Sequence, residues 1–238
     1  MKSYFLAPLF LQKFIWIPTR LILTIFGHMK ISGLENLKDL KGPVIFACNH
    51  SSEIDPFIVP ASLPFWSRFS PLFYATRERS FYDTNGWRKY LFGGMFINAW
   101  GGYTAITGVH NFEISLADHI EIAKDGGSFC VYPEGGITRT GALQQAKGGV
   151  AYLAEKGNCT IVPVGISGTF RTHVGQFFLG KRCITVNFGQ PITQEELRTR
   201  VVRTPEIGVH IYRLEAKYVM KKVGELIISA FCREPKAR

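Results

Sequence analysis

The chain has 238 residues, 46% of them hydrophobic, and carries 28 Lys and Arg against 18 Asp and Glu for a formal net charge of +10. That length suits one α/β domain with a substantial core, and no Ser/Gly-rich linker or internal repeat divides it. Cysteines at 48, 130, 159, 183 and 232 are odd in number without a CxxC pair, and His28, His50, His110, His119, His173 and His210 show no ligand spacing, so neither a disulfide framework nor a metal site is supported. The cysteines read instead as small buried hydrophobes in a reducing compartment. The basic excess lacks the basic helix with interleaved aromatics, zinc-finger spacing or RNA-binding sheet motif of a nucleic-acid binder. It suits an anionic leaflet, where each facing basic residue contributes on the order of 1 kcal/mol.

Residues 1–28 read as an apolar appendage to a domain spanning 29–238. Tyr4 to Ile17 and Leu21 to Phe26 are mostly apolar, but Lys13 and Arg20 interrupt them, and Pro8 and Pro18 are expected to break the helix. No uninterrupted apolar span of about 18 residues remains to cross a bilayer. The expectation is two short helices meeting near Pro18, lying in a membrane interface with Trp16 and the basic residues at headgroup level. An apolar helix packed on the sheet is the competing reading. Nothing after the run resembles a small-residue cleavage site.

The apolar run Val44-Ile45-Phe46-Ala47-Cys48 reads as a strand and leads into Asn49-His50-Ser51-Ser52-Glu53-Ile54-Asp55-Pro56. Pro56 suits the first turn of a following helix that Asp55 would cap. A carboxylate there can turn toward the His50 ring, setting its tautomer and favouring its protonated form during proton abstraction. Taken alone, the pair fits a solvated turn better than a catalytic site.

Asn111 is expected to cap a helix carrying Phe112, Leu116, Ile120 and Ala123, ended by Gly126-Gly127. A strand over 128–132 then runs into Pro133-Glu134-Gly135-Gly136-Ile137-Thr138-Arg139, where glycines permit close approach of a ligand and a guanidinium offers forked donors to phosphate. A helix from Lys147 to Glu155, ended by Gly157, precedes a strand over Cys159–Ile166, whose Pro163 argues for an edge position or a strand end near a pocket. A last strand, Cys183 to Phe188, leads to a capping-box pattern at Thr193-Gln194-Glu195-Glu196. A late helix from Pro205 to about Phe231 presents Tyr212, Ala216, Val219 and Val223 at helical spacing as a core-facing cover. Alternating strands and helices give the fold class α/β, with a mixed, largely parallel sheet flanked by helices and polar groups gathered at strand C-terminal ends.

These residues resemble the glycerolipid acyltransferases typified by 1-acylglycerol-3-phosphate acyltransferase, whose NHxxxxD, FPEGTRS and IVPV blocks occur in this order. Here they read Asn49-His50 through Asp55-Pro56, Tyr132-Pro133-Glu134-Gly135 with Arg139, and Ile161-Val162-Pro163-Val164, over roughly residues 30 to 190. The resemblance implies that His50 deprotonates an acceptor hydroxyl, that Asp55 positions His50, and that Glu134, Gly135 and Arg139 grip a glycerol phosphate, with Lys147 at a following basic position. Two departures stand out. The third block is two residues longer between Gly135 and Arg139. The middle segment, which in the family carries a phosphate-binding Arg, reads Trp100-Gly101-Gly102-Tyr103-Thr104-Ala105-Ile106-Thr107 without a basic residue; Arg77, near another commonly basic position, is nominated in its place, with Arg79 behind it.

The implied activity is transfer of an acyl group from acyl-CoA or acyl carrier protein to a lysophospholipid, most directly 1-acyl-sn-glycerol-3-phosphate giving phosphatidic acid. No further cofactor is implied. The implied location is peripheral or monotopic, on the cytoplasmic face of a membrane of anionic phospholipid. No GxSxG elbow is present, so direct transfer without an acyl-enzyme is expected. Glycerol 3-phosphate or a lyso-aminolipid are alternative acceptors; a silent lipid-binding protein is the non-enzyme alternative. Phe57, Ile58, Phe92, Met95 and Phe96 are expected to line an acyl groove.

Overall fold

The computed structural model describes residues 2–77, 95–106, 111–172, 174–180, 183–201 and 210–228. Arg79, Phe92, Thr107, His110, His173, Pro205, Phe231 and Cys232, named above, lie outside them. Seven strands form one sheet: β1 (Lys30–Ser32), β2 (Val44–Cys48), β3 (Leu72–Thr76), β4 (Gly102–Thr104), β5 (Ser128–Val131), β6 (Thr160–Ser167) and β7 (Thr185–Phe188), in the order β1-β7-β6-β2-β5-β3-β4. β2, β3, β4, β5 and β6 run parallel; β7 is antiparallel to β6 and carries β1 with it. The sheet is mixed and largely parallel, as the pattern predicts.

β2 is wholly buried because helices cover both faces, which is why it reads as a continuous apolar run rather than an alternation. Val44, Phe46 and Cys48 point to one layer, covered by α1 (Leu6–Ile25), α2 (Asp55–Ser62) and α3 (Met95–Trp100). Ile45 and Ala47 point to the other, covered by α4 (Phe112–Ser115), α5 (Ala117–Lys124), α6 (Gly149–Lys156), α8 (Gln194–Arg200) and α9 (His210–Ile228), while α7 (Val174–Phe178) lies in the β6–β7 connection. Asn111 and Thr193 cap α4 and α8, accepting from the N–H groups of Glu113 and Glu196. Cys48, Cys130 and Cys159 are buried free thiols. In α9, Ala216, Val219 and Val223 face the core as expected.

Three local expectations are corrected. The N-terminal segment is one helix with Pro18 inside it, not two. An interior proline costs about 3 kcal/mol, and tertiary bonds on both sides of it hold the helix together: Trp16 Nε1 donates to Leu63 O at 3.1 Å and Arg20 Nη1 to Ala61 O at 2.8 Å. Pro163 sits in an interior strand rather than at an edge. The β6–β7 ladder pairs Val164 with Phe188, whereas the next bridge pairs Ile161 with Ile192, so one residue bulges out on the β7 side where Pro163 offers no N–H. Ile58, expected along an acyl groove, is fully buried in the core.

His119 of α5 is also fully buried, between the rings of Tyr103 and Phe129. Burial pushes its pKa below the ordinary value, so the unfolded chain binds the proton more readily. The resulting penalty is absent above the unfolded pKa of about 6.5 and grows as pH falls below it, by up to about 1.4 kcal/mol per pH unit. Denaturant melts at pH 5.5 and 7.5 should therefore differ, and His119→Gln should shrink that difference. An unchanged pH dependence in the variant would remove His119 as its source.

Candidate active site

β2 lies at the middle of the sheet, between β6 and β5, so the turn after it opens at the centre of the C-terminal edge. Asn49 extends the β2–β6 pairing through its side chain: Nδ2 donates to Ile166 O and Oδ1 accepts from Ile166 N, both at 2.8 Å. This clamp fixes the backbone immediately before His50.

His50 Nδ1 lies 3.0 Å from Asp55 Oδ2. The same oxygen accepts from Ser51 N at 2.7 Å and Ser52 N at 2.8 Å. Asp55 is fully buried and is the first residue of α2, the cap position being Ile54. Its carboxylate thus folds back onto the preceding turn instead of capping the helix, because three donors converge there. An oxygen already accepting two amides makes Nδ1 the donor, which leaves Nε2 as the basic atom of a neutral imidazole. The His50 side chain remains 15% exposed.

Tyr132, directly after β5, stacks on the His50 ring with centroids 4.0 Å apart and planes 19° from parallel. Burial holds its phenol well above the ordinary pKa, so it remains neutral. Glu134 is 5% exposed, and both oxygens take backbone amides: Oε1 from His50 N at 2.9 Å and Oε2 from Gln144 N at 2.8 Å. Burial raises its pKa, and these two amides oppose the rise. Thr138 N in turn donates to His50 O at 2.8 Å. Both backbone groups of His50 are therefore tied to the loop that follows β5.

The tip of that loop is flanked by two cations. Arg77, just past β3, donates from Nη2 to Gly135 O at 2.6 Å. Gly135 has φ +71°, and a Cβ there would meet Lys147 Nζ at 2.6 Å; one on Gly136 would meet Arg77 Nη2 at 2.6 Å. Two glycines thus let a guanidinium and an ammonium lie directly on the loop backbone. Arg139 is exposed at the loop's outer side, where its carbonyl accepts from Arg171 Nη2 at 3.5 Å. Among the residues singled out from sequence, His50, Asp55, Arg77, Glu134, Gly135 and Lys147 meet at one place, and Arg139 stands at its rim.

Sequence reasoning missed several members of this wall. Ser51 Oγ and the fully buried Thr169 Oγ1 are 2.6 Å apart, joining the β2 turn to the loop after β6. Arg171 adds a cation beside Arg139, and Tyr132 braces the imidazole. Only Tyr132 carried a usable signal, an aromatic residue entering the glycine loop directly from a strand. Of the expected acyl groove, Phe57 and Phe96 do sit together against Trp100, while the side chain of Met95 lies outside the described residues.

The Acyltransferase family model matches residues 28–167. The chain is 28% identical over 173 residues to the 1-acyl-sn-glycerol-3-phosphate acyltransferase of Saccharomyces cerevisiae, a match covering 71% of this chain and 53% of that one. It therefore spans about half the length of this curated relative. Among solved structures, it resembles the crystal structure of the 1-acyl-sn-glycerophosphate (LPA) acyltransferase PlsC from Thermotoga maritima, with a TM-score of 0.60 at 18% identity over 93% of this chain and 82% of that chain. At that identity the likeness is one of fold. The family match covers more than half of the sequence and contains both the His50–Asp55 turn and the glycine loop; the chain belongs to the Acyltransferase family.

Proposed function

We propose that the protein moves a fatty acyl group from an acyl thioester, acyl-CoA or acyl carrier protein, to the hydroxyl of a lysophospholipid, with 1-acyl-sn-glycerol-3-phosphate as acceptor and phosphatidic acid as product. The observation that carries this reading is the 3.0 Å His50–Asp55 hydrogen bond standing beside a glycine loop flanked by Arg77 and Lys147. His50 Nε2 removes the hydroxyl proton as the oxygen attacks the thioester carbonyl. The C–O bond forms, the C–S bond breaks, and the imidazolium returns its proton to the departing thiolate. Asp55 stabilises the imidazolium between these events. Arg77, Lys147 and Arg139 neutralise the acceptor phosphate, while Glu134 and Gly135 hold the loop in the shape that admits it.

The division of labour we infer assigns residues 1–28 to membrane association and 29–238 to acyl transfer, and a family match that begins at residue 28 supports it. The protein would then work as a peripheral or monotopic enzyme on the cytoplasmic face.

The test is a purified-protein assay crossing lysophosphatidate, glycerol 3-phosphate and a lyso-aminolipid with both thioesters, read as thiol release and as lipid mass. Fastest turnover is expected with lysophosphatidate; transfer to none of the three would overturn the proposal. Arg77→Gln should raise the KM for a phosphate acceptor about 10- to 100-fold, the loss of one charge-assisted hydrogen bond, with the donor KM unchanged. An equal loss with a phosphate-free acceptor would contradict the phosphate role of Arg77.

A further inference from the structure

Arg171 stands on a strained turn beside the site. Thr172 N and Oγ1 donate to Thr169 O at 3.4 and 3.0 Å, closing a turn in which Arg171 has φ +49°. Glycine or asparagine adopts that backbone readily, whereas a long charged side chain gains nothing from it locally. The turn is nonetheless pinned: Thr169 is fully buried, and its hydroxyl meets that of Ser51, the residue after His50, at 2.6 Å. The Arg171 guanidinium lies over the Phe170 ring, 5.2 Å from its centroid, and a Cβ on Gly141 would lie 3.0 Å from the same ring. Backbone strain of this kind persists only where the surroundings hold it, and it gathers at ligand clamps.

The strand order sets this turn apart from the other cations. Along the C-terminal edge of the parallel strands stand, in order, the Thr169–Arg171 turn after β6, His50 after β2, the glycine loop after β5 and Arg77 after β3. Neighbouring strands lie about 4.8 Å apart, which separates the ends of β6 and β3 by roughly 14 Å. The glycine loop bridges them: Gly135 O accepts from Arg77, Thr138 N donates to His50 O above the β2 turn, and Arg139 O accepts from Arg171. His50 is therefore placed between two cationic groups, Arg77 with Lys147 on one side and Arg171 on the other. Among the described residues no carboxylate pairs with Arg171, and its bond to Arg139 O is long at 3.5 Å. A phosphate oxygen is a stronger acceptor for a guanidinium than that carbonyl.

Resting on the acyl-transfer reading above, we propose that Arg171, held over Phe170, binds the phosphate at the far end of the acyl donor's pantetheine arm. That phosphate is common to acyl-CoA and acyl carrier protein. The acceptor's phosphate goes to the cations on the other side of His50. Transfer without an acyl-enzyme needs both substrates bound at once, and two phosphates gathered on one cation group would repel each other. A base standing between two separate cation groups lets each substrate bring its reacting atom in from its own side. Stacking on Phe170 fixes the plane of the guanidinium before the donor arrives.

The experiment compares the full-length wild type with Arg171→Asn, a substitution that tolerates φ +49° and should melt no lower than wild type. Four donors of one acyl chain length are used with saturating lysophosphatidate: acyl-pantetheine, acyl-phosphopantetheine, acyl-CoA and acyl carrier protein, each read as thiol release. The variant should raise the KM of the three phosphate-bearing donors about 10- to 100-fold, the loss of one charge-assisted hydrogen bond. The KM for acyl-pantetheine, the KM for lysophosphatidate and kcat should hardly move. An equal rise with acyl-pantetheine, or a rise in the lysophosphatidate KM alone, would overturn the donor site. A rise with acyl-CoA alone would assign Arg171 to the nucleotide, and one with the carrier protein alone to that protein's acidic surface; either result overturns the shared-phosphate contact. If the contact holds, comparing wild-type kcat/KM for acyl-CoA and acyl carrier protein tells which source presents the phosphate. Wild-type turnover that Arg171→Asn leaves untouched would sink this inference alone, whereas no wild-type turnover with any donor would sink the acyl-transfer reading itself.

Discussion

Replacing His50 by alanine is expected to lower kcat between about 100- and 10,000-fold, the range supplied by a positioned general base, with the acyl-donor KM little changed. The fold should survive. The ring is only partly buried, and its backbone N–H and carbonyl keep their bonds to Glu134 and Thr138 in the variant. Thermal melting checks that point, and added imidazole should restore part of the activity by supplying the missing base. Near-full turnover by the variant would end the general-base assignment.

The second large effect is expected at Asp55, and the geometry selects the informative substitution. Three donors converge on Oδ2 alone, so an asparagine carbonyl can take that position and keep His50 oriented while removing the charge. A charge at this distance is worth about 4 kcal/mol to an imidazolium at an effective dielectric constant of about 20. Asp55→Asn should thus cost up to about 1,000-fold in kcat. Asp55→Ala would confound the measurement, because the Ser51 and Ser52 amides would lose their acceptor at about 1–3 kcal/mol apiece in stability. If Asp55 acts through His50, the double variant His50→Ala/Asp55→Asn should be no slower than His50→Ala. Additive losses would assign Asp55 a separate task.

Long apolar strands and capped helices were legible in the sequence because their signals are local. β2, β5 and β6 appear as runs of Val, Ile and Phe ending in polar turns, and Asn111 and Thr193 act as the caps their positions suggest. β1 and β4 were missed because three residues carry no periodicity. β3 was missed because its last two residues leave the core, which shortens its apolar run. The unbroken α1 was hidden for a different reason: Pro18 is a local signal against a helix, overruled by bonds from Trp16 and Arg20 to residues more than forty positions away.

The site divides along the same line. His50, Asp55 and the glycine loop stand out as motifs, and resemblance to a family pointed to Arg77 and Lys147. Thr169 and Arg171 escaped, since their relation to Ser51 and Arg139 exists only once β6 is laid beside β2. Glu134 was read as a ligand-gripping residue, whereas its contacts are with the backbone of His50 and Gln144. A carboxylate in a motif does not reveal which way it faces.

The two backbone bonds from His50 to Glu134 and Thr138 give the proposed reaction a ruler. Base and glycine loop share one frame, so the distance from the His50 backbone to the backbone of that loop is held whichever rotamers Arg77 and Lys147 adopt. In the proposed reaction the acceptor must fit a base and a loop whose backbones do not move independently.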